Sequence, residues 1–343
     1  MNIWVKKRYN VSEAKIERGT AMSKEPLFLK PAFQEKIWGG NKLASEFGYK
    51  IPSEHTGECW AISAHLHGPA TISNGEFKGV KLNELWDSHR EVFGNAKGDV
   101  FPLLTKILDA RTALSVQVHP DDKYALKHEH ELGKTECWYV ISADEDSEMI
   151  YGHHAKSRAE LAELIENEQW NKLLRHVPVK AGDFLYVPSG TIHAIGKGVM
   201  VLETQQSSDT TYRVYDFDRV DEKTGQKREL HIQQSIDVTN VPHEDPKLET
   251  KVAKVGDGML TTFVQTDFFS VYKLELEGGQ SMGIRTKAPY TLFSVLDGHG
   301  KLIIEDQEYS IKKGVHFILP FVVKQWQFRG NLTLIISEPG EKA

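Results

Sequence analysis

Val179-Lys180-Ala181-Gly182-Asp183-Phe184-Leu185-Tyr186-Val187-Pro188 reads as a glycine turn, a short apolar strand and a closing proline. The same design returns 132 residues later as Ile311-Lys312-Lys313-Gly314-Val315-His316-Phe317-Ile318-Leu319-Pro320. Lys180, Gly182, Phe184 and Pro188 fall on Lys312, Gly314, His316 and Pro320; three of these four positions are identical, and the apolar pattern between them is shared. Recurrence of one pattern in one chain marks an internal repeat. Glycine serves a turn that needs left-handed backbone, and proline is tolerated at a strand end. Two copies of one β unit are therefore expected, each with its own core, and 343 residues leave room for two. Val241-Pro242-His243-Glu244-Asp245-Pro246 is the candidate linker between them.

The turn, short strand and proline resemble the cupin pattern, a jelly roll of antiparallel strands. The expected fold is mainly β: two cupin-type jelly-roll barrels, with helical insertions in the first. Short strands separated by Gly and Pro agree with this at Pro26–Leu29, Cys59–Ser63, Ala70–Ile72, Lys106–Leu108 and Ala113–Val118. Lys81–Phe93 carries Leu82, Leu85, Trp86 and Phe93 at helical spacing. Ser157-Arg158-Ala159-Glu160 has the form of a capping box and opens a helical insertion of about 155–176, with a break expected near Asn167. The expected boundaries are an extension over 1–21 that need not be native, a metal-binding barrel over 22–244, and a second barrel over 245–343 without metal ligands. Met22-Ser23-Lys24 reads as a natural start.

Composition narrows the function classes. The chain is 40% hydrophobic and 26% charged, which is globular composition. Its 42 basic and 48 acidic residues give −6, which argues against a nucleic-acid partner. No apolar run approaches the ~18 residues of a membrane span, so no membrane partner is expected. Met1–Ala21 lacks the apolar core of a secretory signal. Two cysteines, Cys59 and Cys137, exclude a disulfide scaffold and suit the cytoplasm; both read as small buried hydrophobes.

Chemistry concentrates at Gln117-Val118-His119-Pro120-Asp121 and Lys134-Thr135-Glu136. Residues two apart on a strand share a face, so Gln117 and His119 project together. The repeat supplies a further ligand. His193 lies five residues past Pro188, while Gln325 occupies that place after Pro320. Gln117, His119, Glu136 and His193 then form a nitrogen and oxygen shell that suits zinc, and also Fe or Mn. The pairs His65/His67 and His128/His130, and the neighbours His153-His154, read as surface histidines. Downstream, Glu203 is a candidate proton-handling carboxylate, and Arg213, Arg219 and Lys134 are cations able to meet oxygen anions.

These segments together resemble type I phosphomannose isomerases in their short bacterial form. The resemblance is carried by Lys36–Gly40, Gly57–Ser63, Phe101–Lys106, Gln117–Asp121, Gly133–Trp138, Val187–Ala194 and Thr211–Asp216, in the family's order from about residue 26 to the C-terminus. It implies a zinc-dependent aldose–ketose isomerase that interconverts mannose 6-phosphate and fructose 6-phosphate through a cis-enediol. One Zn²⁺ per chain is implied, on Gln117, His119, Glu136 and His193. Arg213, Glu203 and Lys134 fall on the family's catalytic positions, and Arg219 on a basic residue suited to the substrate phosphate. Glu203, Lys134 and zinc-bound water all stay open as the base. A small sugar phosphate is the expected partner, with the chain monomeric or weakly homo-oligomeric. Two other readings stay open: a metal-dependent cupin oxygenase using His119, Glu136 and His193, and a non-catalytic sugar-phosphate-binding cupin.

Overall fold

The computed structural model describes residues 23–221 and 224–343. The reading of 1–21 as an extension, with its start at Met22, lies outside the described residues. The fold is mainly β. Three large antiparallel sheets carry it, and none closes into a barrel among the described residues. The expected barrels are realised as open sheets packed face to face.

The first sheet has six strands in the order Phe184–Val187, Glu136–Ser142, Met200–Gln206, Leu103–Asp109, Thr56–Ile62, Ala32–Gly40. A five-stranded sheet lies across it, ordered Tyr212–Tyr215, Val116–Val118, His193–Ala194, Glu148–His153, Leu174–Pro178. Strand alternation sorts their side chains into layers. On Met200–Gln206, Met200 and Leu202 join the core beneath the six-stranded sheet, whereas Val201 faces the space between the two sheets. Glu203 has the same parity as Val201 and points into that space too. At one end the space is filled by Trp38, Leu108, Trp138, Val140, Tyr151 and Val201. At the other end it is lined by charged groups.

The outer face of the five-stranded sheet is covered by helices. Val116, Val118, Tyr212 and Val214 pack there with Leu161 and Ile165 of helix Arg158–Glu166 and Ile236 of helix Ile232–Val238. Ser157 caps the first of these helices, accepting from Glu160 N at 3.2 Å, and the helix ends at Asn167 as its spacing implied. The helix expected over Lys81–Phe93 is divided. It runs as α-helix over Leu82–Ser88, turns at His89, and resumes as a 3₁₀ turn over Arg90–Phe93. That division lets Trp86 and Phe93 both reach one aromatic cluster with Phe101 and Tyr290.

The third sheet has nine strands, ordered Lys251–Val255, Gly258–Gln265, Phe269–Ile284, Gln325–Pro339, Thr291–Ile304, His316–Leu319, Leu27–Lys30, Thr71–Ile72, with Gln307–Lys312 attached to Thr291–Ile304. Register shifts at Glu277/Gln280 and Val295/Asp297 interrupt its long strands. Such bulges bend strands, and Phe293 and Leu302, from opposite ends of one strand, meet in one core with Phe317 and Phe328. The repeat is exact in the backbone: Phe184–Val187 and His316–Leu319 are the corresponding strands. Gly182 and Gly314 begin them at φ of 92° and 85°, where a side chain would be strained. The third sheet also takes strands from the start of the chain. Leu27–Lys30 pairs with His316–Leu319 in the register Leu27↔Ile318. Cys59, Ile107 and Leu202 of the first sheet share a core with Phe269, Leu292 and Ile318 of the third.

Candidate active site

Cross-strand pairing assembles the site. On the five-stranded sheet Arg213 lies opposite Gln117, and Gln117 opposite His193. Directly opposite residues share a face, and the alternating neighbours Val116, Val118 and Tyr212 go to the outer core. Arg213, Gln117 and His193 therefore form a row facing the six-stranded sheet. That sheet answers with Trp60, Lys106, Glu203 and Trp138, paired in that order across four strands. Glu136 lies two residues before Trp138, on the same face.

His119, Glu136 and His193 offer ligand atoms that all lie within 4.8 Å of one another, and all three side chains are buried. Each imidazole is oriented from behind. His119 Nδ1 lies 2.9 Å from the carbonyl of Thr210, and His193 Nδ1 lies 2.9 Å from that of Thr191. A carbonyl only accepts, so both Nδ1 atoms carry the proton and both Nε2 atoms present a lone pair. Burial, reinforced by Lys134, holds His119 well below its ordinary pKa, and burial brings His193 down to about 4; both rings are neutral at pH 7. His193 Nε2 is 3.3 Å from Glu136 Oε1, and His119 Nε2 is 3.5 Å from Oε2.

Glu136 is 0% exposed, yet neither of its carboxylate oxygens has a hydrogen-bond partner. Lys134 Nζ stands 2.9 Å from Oε2, an ion pair without the direction of a hydrogen bond, and 3.0 Å from His119 Nε2. Gln117 completes the fourth corner, its amide 3.2 Å from His193 Nε2. The amide oxygen and nitrogen are interchangeable by rotation, so the oxygen can face the same point. Two neutral imidazoles, a carboxylate with orphaned oxygens and an amide fit a divalent cation.

The surroundings are charged as well as buried. Glu203 Oε2 accepts from Trp138 Nε1 at 2.9 Å, and Lys106 Nζ is 3.9 Å from Oε1. Burial foremost, then Glu136, raises the Glu203 pKa, which makes it a stronger base than an exposed glutamate. Lys106 also lies 4.0 Å from Glu58, which accepts from Trp60 Nε1 at 2.6 Å. Burial alone would raise the Glu58 carboxyl; Lys106 foremost, then Lys36, bring it down to about 2.

The two family models that match are "Phosphomannose isomerase type I, catalytic domain", over residues 27–151, and "Mannose-6-phosphate isomerase, cupin domain", over 259–339. A mannose-6-phosphate isomerase of Streptococcus mutans is 58% identical over 318 residues, covering 92% of this chain and 99% of that protein. The chain belongs to the type I phosphomannose isomerase family. Mannose-6-phosphate isomerase ManA of Bacillus subtilis is 51% identical over 317 residues, with 92% and 99% covered. A crystal structure of the mannose 6-phosphate isomerase from Bacillus subtilis superposes with a TM-score of 0.88 at 51% identity, covering 91% of this chain and 99% of that one. A phosphomannose isomerase variant from Salmonella typhimurium, at 15% identity and TM-score 0.75, covers 92% and 99% and shares the fold. Three of the four expected ligands, Gln117, His119 and Glu136, lie inside the matched catalytic segment.

The structure brings Gln117, His119, Glu136, His193, Lys134 and Glu203 together. Arg213 joins them through its register, with Nη1 on the Glu229 carbonyl at 2.7 Å and a buried Nε that has no partner. Arg219 sits further out. It ion-pairs with Asp216, which Arg228 also grips at 2.6 and 2.8 Å, and donates to the Ala113 carbonyl. Glu58 and Lys106 are the site residues that sequence reasoning left without a role. Their signal was a charged residue at an inward position of an otherwise apolar strand.

Of the expected surface histidines, His67, His128, His130 and His154 are exposed, whereas His153 and His65 need correction. His153, the last residue of the strand Glu148–His153, is buried, with Nε2 2.9 Å from the Asn240 carbonyl. His65 packs edge-on against Trp60 and lies 3.3 Å from Glu131. Cys59 and Cys137 are free and buried, as read.

Proposed function

We propose that this chain is a zinc-dependent aldose–ketose isomerase that interconverts mannose 6-phosphate and fructose 6-phosphate through a cis-enediol. The observation that carries the zinc is the pair of Nε2 lone pairs facing a fully buried carboxylate whose oxygens have no hydrogen bond. Gln117, His119, Glu136 and His193 would hold the cation, which when bound supplies a Lewis acid that polarises a hydroxyl or carbonyl oxygen.

The chain's own groups carry the proton. The Glu203 pKa is raised by burial foremost and then by Glu136, and Trp138 and Lys106 fix its orientation. Its carboxylate takes the proton from C2 of the open-chain aldose as the C1 oxygen gains one. Return of that proton to C1, with loss of a proton from the C2 oxygen, gives the ketose. Lys134 orients His119 and Glu136, and Arg213 adds positive charge where the enediolate develops. Arg213, Arg219 and Arg228 outnumber the neighbouring carboxylates of Asp216 and Glu229, an excess of positive charge suited to a phosphate dianion. A cytoplasmic, monomeric or weakly associating chain belongs to the same proposal, and two buried free thiols suit a reducing compartment. Among the described residues no helix is long and apolar enough to cross a membrane.

The test is a coupled assay for fructose 6-phosphate formed from mannose 6-phosphate, with metal analysis of the same sample. Turnover should disappear on chelation and return with Zn²⁺. Full turnover after verified metal removal would refute the proposal.

A further inference from the structure

The carbonyl that orients His119 belongs to Thr210, in a segment without regular structure between the strands Met200–Gln206 and Tyr212–Tyr215. Backbone bonds from Ser207 N to the Pro102 carbonyl and from Ser208 N to the Gln206 carbonyl hold its start, and Gln205 Nε2 donates to the Ser208 carbonyl at 2.7 Å. One carboxylate gathers residues 208–210. Glu131 Oε2 accepts from Ser208 Oγ at 3.0 Å, from Asp209 N at 3.2 Å and from Thr210 Oγ1 at 2.9 Å. Glu131 Oε1 faces His65 Nε2 at 3.3 Å. His65 Nδ1 accepts from His67 N, which leaves the proton on Nε2 and makes His65 a donor to Glu131. Ser208 is itself fully buried and accepts from Thr210 N at 3.3 Å.

We propose that Glu131 is a positioning residue for the metal centre: it clasps residues 208–210 so that the Thr210 carbonyl holds the proton of His119 on Nδ1. The geometry gives one carboxylate oxygen three donors from three consecutive residues, the last of which supplies the carbonyl on the ligand. Hydrogen bonds, that from His65 foremost, hold the Glu131 carboxyl down to about 2, so the clasp is charged at working pH. The link to His65 joins this clasp to the rim beside Trp60, which packs edge-on to His65. Without Glu131 the carbonyl is free to turn away. Lys134 Nζ, 3.0 Å from His119 Nε2, keeps that nitrogen an acceptor in either case; what is lost is the hold on Nδ1–H that aims the Nε2 lone pair at a cation.

This inference rests on the metal site proposed above, and its test separates the two. The chelator-stripped, ¹⁵N-histidine-labelled full chain reports the hydrogen bond from His119 Nδ1–H to Thr210 as a downfield ¹H–¹⁵N signal, without metal or activity. Titration of the same protein with Zn²⁺ against a competing chelator reports affinity. The wild type should show that downfield signal. Glu131→Ala should lose it and bind Zn²⁺ about 10-fold more weakly, the lower end of the range for lost outer-sphere partners. Glu131→Gln keeps one acceptor oxygen and should restore part of both. KM for mannose 6-phosphate at saturating Zn²⁺ should stay within about 2-fold. A folded Glu131→Ala protein with the downfield signal intact and Zn²⁺ affinity within 2-fold of wild type overturns the proposal. So does an equal loss in Glu129→Gln, whose carboxylate holds Tyr212 Oη rather than the 208–210 segment. If Glu131→Ala does not fold, Thr210→Val decides, because it removes one donor and keeps the carbonyl; an unchanged signal and affinity there overturns the proposal. A wild type that binds no Zn²⁺ would refute the metal site, while the Nδ1–H signal would still judge the clasp.

Discussion

Lys134→Met removes an ammonium and keeps most of its aliphatic stem. The Lys134 Nζ is 2.9 Å from a carboxylate oxygen of Glu136, in a place where lysine and glutamate are 5% and 0% exposed. Burial alone would lower the lysine pKa, yet Glu136, with Glu203 behind it, holds it above its ordinary value. A raised folded-state pKa means that the pair stabilises the fold below the unfolded lysine pKa and loses that contribution only as pH rises through the folded value. At pH 7 the contribution is complete. Breaking a buried pair by removing one partner costs about 3–5 kcal/mol, because a charge is left uncompensated. In EDTA, with a urea m-value of ~3 kcal/mol/M, the unfolding midpoint of Lys134→Met should fall by ~1–1.7 M. A divalent cation on the same carboxylate supplies the missing charge, so the gap between variant and wild type should narrow in Zn²⁺. Urea titration followed by tryptophan fluorescence measures both. Equal midpoints in EDTA would refute the pairing. A gap of the same size with and without Zn²⁺ would refute the idea that lysine and metal act on one carboxylate.

His193→Ala should lose metal occupancy, measured by elemental analysis after gel filtration, whereas Gln325→Ala, at the matching place in the second repeat, should keep it. Arg213→Ala should retain metal and lower kcat by about 10²-fold or more, the scale for losing one stabilising donor at a developing anion; a near-normal kcat in the coupled assay would remove Arg213 from that role. Glu58→Gln should lower stability at neutral pH. The folded Glu58 carboxyl lies near 2 against an ordinary 4.5, so its contribution is present above 4.5 and lost as pH falls toward 2. The difference in denaturation midpoint between wild type and Glu58→Gln should therefore shrink over that window.

What could be read from the sequence was what is written locally. The turn, strand and proline of 179–188 and 311–320 declare themselves because glycine, alternation and proline act over a few residues. The candidate ligands Gln117, His119, Glu136 and His193 could be named because three sit in two nearby motifs and the fourth was supplied by the repeat. Pairing between distant strands leaves no such trace. Nothing in Leu27–Lys30 announces a partner at His316–Leu319. The buried pair of Glu58 and Lys106 exists only because their two strands are neighbours. The fold-back of Arg219 onto Asp216 rests on a turn that places Phe217 and Asp218 at positive φ, a conformation that local propensity disfavours. His153 looked exposed beside His154 because its Nε2 meets a carbonyl distant in sequence, that of Asn240, while His154 lies past the strand end.

The strand Leu27–Lys30 also governs when the molecule can be finished. It is among the earliest described segments to leave the ribosome, but its partner His316–Leu319 is among the last. Until that partner emerges, Leu27–Lys30 has only the two-residue strand Thr71–Ile72 beside it, and the half with the candidate metal site is built against a layer not yet synthesised. Closure by such a distant pairing is slow, and an unpaired edge invites association with other chains. Severing the chain near Pro242 would make that transient condition permanent. The first fragment would keep a strand whose partner it lacks, and the second would expose the edge that strand covers.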